Sequence, residues 1–366
     1  MRLQTSDYFL VRFCQRSKRL LRWIADRETS WLASELASVK IDRPVFVTGL
    51  ARSGTTLLLE LLASVEGVAT HRYRDFPLLF TPYFWNWYLD RLAIQQEPVE
   101  RPHQDGIRIT RESPEAMEEP LWHAFFPHVH SVTSSHRLVE SESHPAFERF
   151  YLDHLRKLLL IRQGNRYIAK GNYHIPRIEY LARVLPDSRF IIPVRHPLTH
   201  IPSLMRQHAL FSEYASADPR VPRYLEAAGH FEFGPQRVPI RLDPTQGDRI
   251  LEAWSRDDSC LGYSIQWAEI YRFAESLRST NKELAPRILI VRHEDLCREP
   301  AATIRQILEF AELEPQKATR LFAQLNRIRT IRTALGMPPA LRALIAAEVA
   351  CVAEAYGYRL GTSEHL

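Results

Sequence analysis

Val45-Phe46-Val47-Thr48-Gly49-Leu50-Ala51-Arg52-Ser53-Gly54-Thr55-Thr56-Leu57 is the stretch around which the rest of the chain organises itself. Arg43-Pro44 leads into a short apolar run that reads as a buried strand and stops at Gly49. The leucine-rich stretch from Thr55 to Leu62 has no breaker and reads as a helix, so the order is strand, glycine-bounded loop, helix. Gly49 and Gly54 stand at the G-x-x-x-x-G spacing of a phosphate-binding loop, where backbone N–H groups and the helix dipole converge on an anion. A nucleotide-triphosphate loop would continue Gly-Lys-Ser/Thr, the lysine reaching the β- and γ-phosphates. Here Thr55 stands in the lysine's place, so the loop is expected to take a terminal phosphate or sulfate without a triphosphate tail, with Arg52 supplying fixed positive charge. A glycine pair of this kind can also be no more than a tight strand-to-helix turn, and the loop alone does not decide.

Working outward, similar units recur. Tyr167-Ile168-Ala169 is followed by a helix expected from Pro176 to Val184, and Phe190-Ile191-Ile192-Pro193-Val194 by one from Leu198 to His208. Ile288-Leu289-Ile290-Val291 precedes a helix from Pro300 to Glu312. Short buried strands alternating with helices predict an α/β fold whose central, mainly parallel sheet is covered by helices on both faces. Upstream, Phe9, Phe13, Leu20, Ile24, Leu32 and Leu36 recur at helical spacing among basic residues, which predicts an N-terminal helical arm over 1–42 ahead of a single domain over 43–366. The proline-dotted segment 212–248 shows little periodicity and reads as a long inserted loop or lid.

Arg52-Ser53-Gly54-Thr55-Thr56-Leu57 after an apolar strand resembles the 5′-phosphosulfate loop of the sulfotransferases that use 3′-phosphoadenosine 5′-phosphosulfate (PAPS), whose common form is R-S/T-G-T-T/S-L. The resemblance implies the P-loop nucleotide-hydrolase-like sulfotransferase fold, with Arg52, Ser53, Gly54, Thr55 and Thr56 around the donor's 5′ end. In that family a later strand ends in an arginine, commonly in Arg-Asp-Pro, and a serine eight residues on joins it at the 3′-phosphate. Arg195 and Ser203 match, with His196 in place of the aspartate. Alone, each could be a structural residue; together with the first loop they point to a donor site. Lys170, after Tyr167-Ile168-Ala169, resembles the lysine of the family's Lys-Ser-Pro-x-His segment, with Gly171-Asn172 in place of Ser-Pro and His174 in the histidine's position. Ile290-Val291-Arg292-His293-Glu294-Asp295-Leu296 resembles the family's Tyr-Glu-Asp-Leu segment, His293 replacing the tyrosine.

Sulfuryl transfer is an in-line displacement in which positioning and charge stabilisation supply most of the catalysis, and Lys170 is suited to the leaving phosphate oxygen. An alcohol acceptor needs a general base. Asp75 is favoured over His71 and His174, because the family's sugar- and tyrosine-directed members carry a glutamate at the corresponding place; a salt bridge to Arg72 or Arg74 is the other reading of Asp75. The aromatic residues from Phe76 to Tyr88 could wall an acceptor pocket or simply pack. His123, His128 and His130 lack carboxylates at metal-ligand spacing and read as surface histidines, so no metal is expected.

Composition sets the outer limits. Forty-eight Lys and Arg against 43 Asp and Glu give a net charge of +5, suited to an anionic ligand but short of a nucleic-acid coat. Four scattered cysteines form no C-x-x-C and favour a cytoplasmic compartment; no apolar run reaches the ~20 residues that span a bilayer. The reading is therefore transfer from PAPS, as co-substrate, to the hydroxyl of a small-molecule, glycan or lipid acceptor. The alternatives are a P-loop kinase-like phosphotransferase, opposed by Thr55, and a non-catalytic nucleotide-binding protein. The sequence leaves acceptor and oligomeric state open.

Overall fold

The computed structural model describes residues 3–92, 97–328 and 337–360. Its centre is a five-stranded, all-parallel sheet built from β1 (Val45–Val47), β2 (Val68–Ala69), β5 (Arg166–Lys170), β6 (Arg189–Val194) and β7 (Ile288–Arg292), in the order β2-β5-β1-β6-β7. A separate antiparallel pair, β3 (Val99–Glu100) and β4 (Arg108–Ile109), lies outside it. All four strands expected from the sequence form, and each helix expected after them is present, with different ends: Ile178–Val184, Pro197–Ala217 and Pro300–Phe310.

The alternation of side chains along each strand divides the core into two layers. Val45, Val47, Ile168 and Ile191 point to one face and pack with Leu58, Leu59 and Leu62 of the helix Thr55–Ala63 and with Ile304, Ile307 and Leu308. Phe46, Ala169, Phe190 and Ile192 point to the other, where they meet Tyr151, Leu155, Ile178, Ile201, Trp267 and Tyr271 from four helices. A parallel strand buried on both faces must be apolar throughout, which is why Val45-Phe46-Val47 carries no polar residue.

The N-terminal arm folds as three helices, Thr5–Arg16, Lys18–Trp31 and Ala33–Ser38. Buried Glu28 fastens it to the domain, pairing with Lys157 Nζ at 3.0 Å and accepting from Phe84 N at 2.6 Å. Cys14, Leu21 and Ala25 of the arm pack with Leu79, Phe80 and Phe150. The segment 212–248 is not the long loop expected. It holds the end of the helix Pro197–Ala217, the helix Val221–Ala227 and the start of the helix Pro244–Ser255. Apart from the short turn at 218–220, only 228–243 is irregular, and it buries Phe231, Phe233, Ile240 and Arg241. Its prolines open helices at Val221-Pro222 and Pro244 instead of preventing them. No helix among the described residues is long and apolar enough to cross a membrane.

β1 is flanked by β5 on one side and β6 on the other, so connections leave it in both directions. In an open α/β sheet such a switch point leaves a crevice at the carboxyl ends of the strands. Arg52, Lys170, Arg195 and His293 all follow those ends.

Candidate active site

The loop after β1 is shaped by three residues with positive φ: Gly49 at 140°, Arg52 at 70° and Gly54 at 108°. A Cβ on Gly54 would also stand 3.0 Å from His293 Nδ1. The helix Thr55–Ala63 starts without a side-chain cap, which leaves its first N–H groups for a bound anion. Buried Ser53 turns its hydroxyl back onto Leu50 O at 2.7 Å, and His200 Nε2 donates to Ala51 O at 2.8 Å. The loop is thus held from behind by side chains of its own and of the helix Pro197–Ala217.

Arg195 leaves the end of β6, buried, and donates from Nε to Thr199 Oγ1 at 3.2 Å and from Nη1 to Arg52 O at 3.3 Å. Ser203, two turns along the following helix, accepts from Arg52 Nε at 3.5 Å. Arg52, Arg195 and Ser203, far apart in the chain, therefore form one cationic corner. Burial pushes the pKa of both guanidinium groups down, with Arg206 adding to the effect on each. Arg52 is also engaged by an acid: its Nη1 donates to Asp105 Oδ2 at 2.6 Å, while Arg101 Nε donates to Asp105 Oδ1 at 2.9 Å.

On the other side of β1, Lys170 ends β5 with Nζ 3.3 Å from Glu115 Oε1. Tyr73 donates to Glu115 Oε2 at 2.6 Å and Ala116 N to Oε1 at 2.7 Å. Burial alone would raise the pKa of Glu115; Lys170, Arg101 and the Tyr73 hydroxyl outweigh it and hold the carboxyl well below the usual carboxylate range. Glu60, one helix turn beyond the loop, has the opposite balance: burial, helped by Glu115 and Asp105 against Arg101 and Lys170, pushes it up to about 7.

A second polar chain leaves the loop through Thr55, whose Oγ1 lies 3.5 Å from Asn172 Oδ1. Asn172 Nδ2 donates to Glu232 Oε1 at 2.8 Å, and Glu232 Oε2 lies 3.0 Å from His230 Nδ1.

A sequence model of the sulfotransferase family matches residues 44–233, a span that holds the loop after β1, Lys170, Arg195, Ser203 and the Asn172–Glu232–His230 chain. The chain belongs to the sulfotransferase family. Among solved structures, this sulfotransferase is similar to sulfotransferase STF1 of Mycobacterium tuberculosis H37Rv, with 16% identity over 92% of this chain and 85% of that one and a TM-score of 0.48. It is similar also to STF9 of Mycobacterium avium, with 16% identity over 87% and 80% and a TM-score of 0.47. No curated protein matches it.

Three candidates named from the sequence, Asp75, His71 and His174, are buried. Asp75 has no exposed surface: it accepts from Asn86 Nδ2 at 2.8 Å, Arg72 N at 2.9 Å, His71 Nδ1 at 3.1 Å and Arg162 Nη2. With these acceptor positions filled it is held in a buried ion pair, and its partner is Arg162 rather than the side chain of Arg72 or Arg74. His71, equally enclosed, spends Nδ1 on Asp75 and Nε2 on His154 Nε2 at 3.0 Å. His174 lies in the core between Phe46 and Trp122, 3.3 Å from Glu118 Oε2, and its ring covers Gly171 so closely that a Cβ there would be 2.5 Å from it. With the ring in this position, any side chain at 171 would collide with it.

Two further expectations change. Phe80 packs under the N-terminal arm, Trp87 and Tyr88 are exposed, and Phe84 packs at a tilt against Trp31, so the aromatic run is largely the seat of the arm. His130 is not a surface residue; it pairs with Glu119 beneath Phe231. Among the described residues no cluster of three or more His, Cys, Asp or Glu side chains is arranged for a metal ion. Of the residues missed from the sequence, Glu115, Asp105, Glu232 and His230 sit on irregular segments and Asn172 opens the short 3-10 helix Asn172–Arg177; only Asn172 carried a signal, as a departure from the family's motif.

Proposed function

We propose that this sulfotransferase transfers the sulfuryl group of PAPS to a hydroxyl of its acceptor by in-line displacement. The observation that carries the reading is the corner where Arg195 and Ser203 meet Arg52: two anion sites side by side at the carboxyl ends of adjacent strands, with Thr55 where a triphosphate-binding lysine would stand. In this reading the loop amides with Ser53, Gly54, Thr55 and Thr56 receive the phosphosulfate end, and Arg195 with Ser203 the 3′-phosphate. Lys170, oriented by Glu115, neutralises charge on the leaving phosphate oxygen. The acceptor is a small molecule, glycan or lipid bearing a hydroxyl. The four free thiols accord with a cytoplasmic setting.

Calorimetry with adenosine 3′,5′-bisphosphate and with Mg·ATP tests the donor. The reading expects the bisphosphate to bind far more tightly, and ATP binding as well or better would reject it.

A further inference from the structure

We infer that His230, held by Glu232, is the general base that takes the proton of the acceptor hydroxyl. This rests on the sulfuryl-transfer reading above and adds a base that is open to an acceptor, which buried Asp75, His71 and His174 are not.

The geometry is that of a carboxylate–histidine dyad. Glu232 Oε2 accepts from His230 Nδ1 at 3.0 Å, which fixes the tautomer and leaves Nε2 to accept a proton; Nε2 has no hydrogen-bond partner among the described residues. Glu232 is held in turn by Asn172, and Asn172 by Thr55 of the phosphate loop. The dyad is therefore coupled to the loop that receives the donor through three side chains.

The backbone around it is fixed. Gly229, at φ 77°, makes the turn into His230, and a Cβ there would lie 2.5 Å from Glu119 Cβ. Phe231 N donates to Tyr173 OH at 2.9 Å, and Tyr263 OH donates to Glu232 O at 3.2 Å. The imidazole is only partly covered, its side chain 35% exposed, with Phe211 stacked against it. The titratable and charged groups that face it are Glu232, His103 with ring centroids 5.7 Å away, Glu115 and Lys170. Asn172, which joins the dyad to Thr55, stands two residues after Lys170, so the histidine belongs to the same crevice. Burial would lower its pKa; Glu232, and more weakly Glu115, outweigh burial and Lys170 and raise it above the ordinary 6.5. Glu232 itself is held down at about 2, opposite to its burial, by His230 and Asn172. His103, pushed down to about 3 by burial and by Arg101, stays neutral beside the dyad.

The step balances without another reactant. The hydroxyl O–H bond breaks and its proton goes to His230 Nε2 as the oxygen bonds to sulfur. The bond from sulfur to the phosphate oxygen breaks, and its electron pair stays on that oxygen beside Lys170. Asn172 is then a positioning residue.

The test uses the full chain with ³⁵S-labelled PAPS and three probes, an aliphatic alcohol, a sugar and 4-nitrophenol, across a pH series. In the wild type the chemical step rises with pH as His230 loses its proton. His230→Ala should lose that limb and about 10²–10⁴ of the rate with the alcohol or sugar. It should lose far less with 4-nitrophenol above neutrality, where the nucleophile is already ionised, and should bind the bisphosphate as the wild type does. Glu232→Gln removes the charge and, with one acceptor oxygen in place of two, can keep only one of the bonds from Asn172 and His230; it should move the limb to lower pH. An unchanged rate and limb in His230→Ala, an unmoved limb in Glu232→Gln, or a limb that vanishes in Glu60→Gln instead, would overturn the assignment while leaving sulfuryl transfer intact. A wild type that transfers label to none of the probes would overturn the sulfotransfer reading and this inference with it.

Discussion

Asp75→Asn separates a structural carboxylate from a catalytic one. In the folded chain Asp75 neutralises Arg162, whose side chain is 4% exposed and whose Nη1 is bonded to Asn86 Oδ1 at 2.9 Å. Asparagine keeps the shape but leaves that guanidinium buried without its counter-charge. Breaking one side of a buried pair typically costs ~3–5 kcal/mol. At about 2 °C per kcal/mol, the lower end of the range for large domains, the melting temperature should fall by about 6–10 °C. Burial would raise the Asp75 pKa, but the hydrogen bond from His71, the charge of Arg162 and the Arg72 amide outweigh it and depress it. The stabilisation is accordingly complete above the ordinary carboxylate pKa of 3.8 and is lost as pH falls through the lower folded value, so the gap between wild type and variant should close in acid. Differential scanning calorimetry over a pH series, beside single-turnover transfer per folded molecule, reads both quantities. An unchanged melting temperature with a rate lower by ~10²–10⁴ would refute the reasoning and return Asp75 to the role of base.

Other expectations follow from the two anion corners. Arg195→Ala should weaken adenosine 3′,5′-bisphosphate by ~1.5–3 kcal/mol, the usual worth of a charge-assisted contact, and normal affinity in a titration would remove Arg195 from the 3′-phosphate role. Asp105→Asn should tighten the same ligand by about tenfold, because the carboxylate now competes with it for Arg52; weaker binding would show that Asp105 instead holds Arg52 in its receiving position. Transfer should continue in EDTA, since Arg52, Arg195, Lys170 and the loop amides supply the cationic environment; loss of turnover restored by one divalent ion would contradict this.

The sequence made the scaffold legible where one physical requirement dominates. Val45-Phe46-Val47 has to be apolar on both faces, and the spacing of Gly49 and Gly54 survives any surrounding; both were found where expected. Arg195 and Ser203 were legible as a pair because strand end and helix face fix their separation. Arg162 as the partner of Asp75 was not legible, because a carboxylate before a proline-containing turn looks the same in sequence whether it faces a crevice or an arginine. The decisive partner lies 87 residues away. His230 and Glu232 were not singled out for a related reason: they sit in 228–243, where periodicity is absent, and their meeting with Asn172 arises only in the fold. The prolines of 212–248 read as loop formers, although at a first helical turn proline is compatible with a helix start.

The most direct test of the account is transfer of label from ³⁵S-PAPS by the purified chain to a hydroxyl compound, with adenosine 3′,5′-bisphosphate measured in the same reaction. The account predicts sulfated product and bisphosphate in equal amounts, both greatly reduced in Lys170→Ala and Arg195→Ala. Release of label to no acceptor from a chain that binds the bisphosphate tightly, or γ-phosphate transfer from ATP in place of sulfuryl transfer, would contradict it.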